Sequence, residues 1–270
     1  MLADLHIHTT ISDGSFTARE ITQQALALGI THLAFTDHDT TEAAWAHKAL
    51  AEAAGIQAVT GVEMSAYDYE NHRKVHILGY GYTGSAHIDA IGHETLAKRH
   101  ANSLSQIATL QTLGYDISPE NVATIAGPGR TIYKQHILDF LVESRQSEAL
   151  FGEIYRTIFK NGGPCDHDIA YPAAEDCIRA IKVDGGLAVL AHPGQLDSFE
   201  AVPRFVQAGL DGIEYNHPSH TAEDKRRVQE IASRYGLFMT GGSDFHGRYE
   251  RTPSALADYP APESALAVFS

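Results

Sequence analysis

Asp4-Leu5-His6-Ile7-His8-Thr9-Thr10-Ile11-Ser12-Asp13-Gly14 places two histidines and a carboxylate near the start of the chain. Side chains alternate faces along a strand, so His6 and His8 point the same way and can grip one cation, while Leu5 and Ile7 point into a core. Ser12-Asp13-Gly14 then reads as a turn that returns a short acid toward the same space. A His-x-His pair alone is also compatible with two ordinary histidines. The rest of the chain decides between the readings.

Working outward, the spacing predicts an amphipathic helix over 16–28 closed by Gly29, a strand over 31–36 that ends at Asp37-His38-Asp39, and a helix running to about Ala54. A strand over 56–64 follows, with Glu63 at its far end, and then a strand over 74–82 carrying His76. From about 85 to 161 the pattern turns to long helical stretches (88–113, 131–143 and 147–159), which read as a helical insertion or cap. The βα rhythm then resumes with helices over 173–183, 199–208 and 221–235. Strands over 187–190, 212–215 and 237–240 alternate with them, the first running into His192 and the last into Ser243-Asp244-Phe245-His246. Polar residues at the C-terminal ends of successive strands are the layout of an α/β barrel, whose reactive groups gather at that mouth.

Bulk properties exclude several classes. A chain of 270 residues with 43% hydrophobic and 20% charged content suits a soluble globular protein of at most two units. No run approaches the ~18 apolar residues of a membrane span, and the N-terminus resembles no leader, so a cytoplasmic location without membrane contact is expected. The two cysteines, Cys165 and Cys177, suggest neither a zinc-thiolate site nor a disulfide framework. A formal charge of −14 argues against binding a nucleic-acid polymer through its backbone, yet leaves room for a small phosphorylated substrate beside bound cations. Histidine, at sixteen residues, is over-represented.

The strand-end set comprises His6, His8, Asp13, His38, Glu63, His76, His192, Asp244 and His246. Imidazoles and carboxylates with no thiolate suit zinc, manganese or ferrous iron. Because one cation takes four to six ligands, nine imply two or three divalent cations, a carboxylate bridging two of them.

In the order and type of these motifs, from His6-x-His8 and Asp13 through Asp37-His38, Gly61-Val62-Glu63, Val75-His76 and Ala191-His192-Pro193 to Ser243-Asp244-Phe245-His246, the chain resembles the polymerase and histidinol phosphatase (PHP) family. The resemblance covers nearly the whole chain and is nearest to the stand-alone nucleotide phosphoesterases such as 3′,5′-nucleotide bisphosphate phosphatases. It implies a distorted (β/α)7 barrel built from 1–84 and 162–270, a helical insertion over 85–161, and a trinuclear metal centre. It further implies that His6, His8, Glu63 and Asp244 hold one cation, that Glu63, His76 and His192 hold a second, and that Asp13, His38 and His246 hold a third. A water bridging two such cations loses its proton near neutral pH, giving a hydroxide, held beside Glu63, for in-line attack on phosphorus.

Arg130 and His136 lie in a segment that resembles the phosphate-contacting segment of the bisphosphate phosphatases, and a guanidinium fork suits a phosphate dianion. One departure concerns the Gly-x-Pro loop, where relatives that remove a 3′ phosphate carry lysine and this chain has Gly162-Gly163-Pro164. His217 is a candidate acid for the leaving oxygen. The expected function is therefore hydrolysis of small phosphate esters, foremost nucleotide or nucleotide bisphosphate monoesters, with cyclic phosphate diesters or histidinol phosphate as alternatives. Two rival readings are an amidohydrolase-type enzyme, which would also open with His-x-His, and a non-catalytic metal-binding module.

Overall fold

The computed structural model describes residues 1–250 and 254–269. The first half alternates β1 (Ala3–Ile7), α1 (Ala18–Ala27), β2 (His32–Phe35), α2 (Ala44–Ala53), β3 (Gln57–Val59), β4 (Gly61–Asp68) and β5 (Arg73–Tyr80). Helices α3 (Ala86–Thr112), α4 (Pro119–Ala126), α5 (Lys134–Glu143) and α6 (Glu153–Ile158) follow. The alternation returns with α7 (Ala174–Val183), β6 (Leu187–Leu190), α8 (Pro193–Leu196), α9 (Val202–Ala208), β7 (Gly212–Asn216), α10 (Ala222–Tyr235) and β8 (Phe238–Gly241). Local chemistry sets several of these bounds. Thr17 and Glu20 form a reciprocal cap on α1, Thr221 and Asp224 do the same on α10, and each exchange satisfies N–H groups that a helix start leaves open. No described helix is long and apolar enough to cross a membrane.

The strands form two sheets. β1, β2 and β3 make a parallel three-stranded sheet, and β4 to β8 make a five-stranded one in sequence order. In the larger sheet β4 and β6 both run antiparallel to β5, whereas β6, β7 and β8 are parallel. The single strand expected over 56–64 is thus two strands in different sheets. Thr60 marks the break: its carbonyl accepts from Gly81 N at 2.9 Å and its hydroxyl donates to the Tyr82 carbonyl at 3.0 Å, so the chain changes partners there. The switch into antiparallel pairing at β5 follows from the turn between β4 and β5, which is too short for a parallel crossover. Isolated bridges, Ile7 to Phe245 and His38 to Glu63, connect the two sheets at the ends where the candidate ligands sit.

Four apolar groups fix these pieces, one of which brings Leu5 and Ala34 of the smaller sheet together with Leu78, Tyr80 and Val189 of the larger. Val62, Met64, Ile77, Ile178, Ile181, Leu190 and Phe205 pack between the larger sheet and its helices. Ile7, Ile21, Leu33, Phe35 and Ile56 seat α1 and α2 on the smaller sheet. Ile107, Leu110, Ile137, Leu141 and Phe159 form a separate helical core, with α3 long enough to contribute Ile88 to the first group and Ile107 to this one. The helix expected over 147–159 is only the short α6, and α5 begins at Lys134 rather than at 131.

Candidate metal centre

All nine strand-end residues converge. Glu63, 1% exposed, lies at the hub. Its Oε2 is 3.2 Å from His6 Nε2, 3.0 Å from His8 Nε2 and 3.4 Å from His38 Nε2, while its Oε1 is 2.7 Å from His76 Nδ1 and 3.0 Å from His192 Nε2. One carboxylate therefore faces five imidazoles. Asp244 Oδ1 lies 3.3 Å from His6 Nε2 and 3.2 Å from His8 Nε2, and Asp13 Oδ1 lies 3.4 Å from His246 Nε2.

Donor atoms close enough to share a cation fall into four overlapping groups: His6, His8, Glu63 and Asp244; His8, Asp13, His38 and His246; His38, Glu63 and His76; and His192, His217 and Asp244. The first is the set the resemblance implied. In the third grouping His38 stands where His192 was expected, although His192 still touches Glu63. His8 joins the Asp13 group as well.

The donor set fits divalent cations on its own chemistry. His6 Nε2, His8 Nδ1 and Nε2, Asp13 Oδ1, His38 Nδ1, His192 Nδ1 and Asp244 Oδ1 are buried with no hydrogen-bond partner, an arrangement costly for polar atoms unless something else satisfies them. The charges are similarly strained. Burial opposes the charged forms of His6, His8, His38, Glu63 and Asp244. Against it, Glu63 and Glu214 drive His6 well above the usual imidazole value, and hydrogen bonds to Asp244 and Glu63 push His8 up to about 10. Burial instead drops His38 to about 3. Burial would raise Glu63 and Asp244, but the surrounding imidazoles, His6 foremost, hold both well below the usual carboxylate range. Asp39, His192 and Asp244 adopt left-handed backbone angles, with φ of 57°, 24° and 51°, the kind of strain that clusters at functional sites.

Several partnerships around the centre escaped the sequence reading. Glu214, fully buried in β7, accepts from His6 Nδ1 at 3.0 Å and from His192 N at 2.8 Å. It thereby fixes the proton of His6 on Nδ1 and frees Nε2 for the centre. Asp37 accepts from Thr9 N at 2.8 Å and from the hydroxyls of Thr9 and Ser12, holding the turn that presents Asp13. Gln135 donates to Asp13 Oδ2 at 2.8 Å.

A cavity of about 410 Å³ opens beside the cluster, walled by Glu63, His76, His192 and Asp244 on one side and by Arg99, Tyr133 and Lys134 on another. His217 lines it. Arg130 and His136 do not: Arg130 donates to the Thr10 carbonyl at 2.9 Å, and buried His136 accepts from Tyr133 N at 3.1 Å through Nδ1.

The model of the PHP domain matches residues 4–187. The chain belongs to the PHP domain family. Among curated PHP relatives, a phosphoribosyl 1,2-cyclic phosphate 1,2-diphosphodiesterase of Eggerthella lenta is 47% identical over 97% of this chain and 100% of its own length. A 3′,5′-nucleoside bisphosphate phosphatase of Chromobacterium violaceum is 30% identical over 90% of this chain and 86% of its own. The solved structure of a putative metal-dependent phosphoesterase from Bifidobacterium adolescentis superposes with a TM-score of 0.90 at 30% identity, covering 98% of this chain and 94% of that one.

Proposed function

We propose that this PHP chain is a metal-dependent phosphoesterase whose substrate is a sugar or nucleotide phosphate, foremost a 1,2-cyclic phosphate of a phosphorylated ribose. The observation that carries the reading is the convergence of five imidazoles on Glu63, with Asp13 and Asp244 alongside, beside a cavity sized for a small molecule. The 47% identity to the cyclic phosphate enzyme favours that ester over the bisphosphate. So does Gly163: a Cβ there would lie 2.2 Å from the Thr157 carbonyl oxygen, so the loop as folded has no room for the lysine associated with 3′-phosphate removal.

His6, His8, Glu63 and Asp244 would hold one cation, Glu63, His76 and His192 a second, and Asp13, His38 and His246 a third, with manganese, zinc or iron suited to the donors. Bound divalent cations acidify water and neutralise phosphoryl oxygens. The two sheets then act as one distorted barrel, and the helices of 85–161 act as a cap that closes the cavity over its mouth. In each hydrolysis a bond forms between water oxygen and phosphorus as the bond from phosphorus to the ester oxygen breaks. The leaving oxygen takes a proton from the imidazolium form of His217, which lines the cavity with Nε2 3.2 Å from Asp244 Oδ2, and a proton from the attacking water restores that form before the next round. Two rounds convert the cyclic diester to ribose 5-phosphate and inorganic phosphate, consuming two waters.

The test is metal analysis alongside phosphate release from 5-phosphoribosyl 1,2-cyclic phosphate, adenosine 3′,5′-bisphosphate, histidinol phosphate and a short RNA. The reading expects metal in the purified protein and the fastest release from the cyclic ester. Asp244→Asn or His6→Ala should lower release at least about 100-fold with the fold retained. Metal-loaded protein inert toward every ester, or variants as active as the parent, would refute it.

A further inference from the structure

Three basic side chains other than histidine line the cavity among the described residues: Lys74, Arg99 and Lys134. Two have acids of their own. Arg99 Nη2 reaches Asp39 Oδ2 at 3.1 Å and Ser65 Oγ at 2.8 Å, and Lys74 Nζ is paired with Asp168, which also accepts from Tyr171 OH at 2.6 Å. The Lys134 ammonium makes no hydrogen bond or ion pair with any described residue and lies 6.0 Å from the Phe159 ring centroid. Burial and the nearby positive charge of Lys160 push this amine down to about 8, only partly offset by Asp168. A cation so placed is destabilised until an anion arrives. Lys134 is also the first residue of the ten-residue α5, whose positive dipole end adds to the same field at the cavity wall.

We propose that Lys134, with the first turn of α5 behind it, is a second anion subsite that binds the remote, non-scissile phosphate of a doubly phosphorylated substrate while the scissile phosphate sits at the Glu63 centre. The proposal rests on the phosphoesterase reading and narrows it to substrates with two phosphoryl groups. It places the recognition of the second phosphate in the same segment as Arg130 and His136, on the part that lines the cavity. Lys134 acts here on binding and specificity and takes no part in bond breaking.

A matched pair of esters tests it: 5-phosphoribosyl 1,2-cyclic phosphate and ribose 1,2-cyclic phosphate, which lacks the remote phosphate. Wild type should prefer the phosphorylated member. Lys134→Met should erase roughly 10- to 100-fold of that preference in kcat/KM, mostly through KM, and Lys134→Arg should restore most of it. An unchanged preference in Lys134→Met would overturn the proposal. Calorimetric binding of ribose 5-phosphate to the metal-loaded protein provides a readout without turnover. Weaker binding by Lys134→Met supports the subsite even if neither cyclic ester is hydrolysed, which would count against the proposed function alone; equal affinity overturns the subsite.

Discussion

Glu63 and Glu214 divide the electrostatics of the centre between them. Glu63 faces five imidazoles across the space a cation would take, and Glu214 stands behind His6, where it can only orient. Partners of this second kind commonly change metal affinity 10- to 100-fold when removed. Glu214→Ala should therefore weaken metal binding by roughly that factor in a chelator competition, and unaltered affinity would deny it an orienting role. Protonation gives a second residue-scale test. His6 and His8 are held above the ordinary imidazole value by the neighbouring carboxylates, so both carry protons at pH 7 before metal enters. Metal must displace them, so loading should release protons and tighten as pH rises. Binding heats measured in buffers of different ionisation enthalpy check this; identical heats would contradict it. The nine converging residues were legible by type, but not all by position: Glu63 lies near the start of β4 and His76 inside β5, where strand ends were expected. Glu214 was not legible as a partner of His6, since a carboxylate inside an apolar strand, 208 positions away, has no spacing that announces a contact.

At the scale of elements, legibility tracked the strength of the local signal. Helices α1, α7 and α10 fall within a few residues of their expected spans, α1 and α10 because caps and apolar periodicity agree there and α7, which has no side-chain cap, on periodicity alone. The strand over 56–64 did not stay single, because its division depends on which sheet each half joins, and that is a tertiary choice. In and before α5, Tyr133, Lys134 and Gln135 line the cavity, whereas Arg130 and His136 are turned to the Thr10 carbonyl and to Tyr133 N, a choice of helix face that tertiary packing makes. Beyond β8, a Cβ on Gly242 would lie 2.4 Å from both N and Cβ of His6. Gly242→Ala should thus cost about 1–3 kcal/mol by overpacking and lower metal content by displacing His6. A wild-type melting curve with full metal content would show that the contact relaxes freely.

Across the whole molecule, residues from both sheets meet at one mouth. The small sheet supplies His6 from β1 and the large sheet Glu63, His76 and Glu214, so bound cations would tie the two together. Metal at about 100 times its dissociation constant should add about 2.7 kcal/mol to stability, read as a melting temperature several degrees higher than in chelator-treated protein; coincident curves would mean that the cations do not bridge the sheets. The central claim is that this mouth directs water at phosphorus rather than at carbon. Hydrolysis of 5-phosphoribosyl 1,2-cyclic phosphate by the metal-loaded protein in 18O-water, followed by mass analysis of both products, tests it most directly. The account predicts the label in inorganic phosphate and none in the sugar beyond spontaneous exchange; label introduced into the sugar by turnover would contradict it.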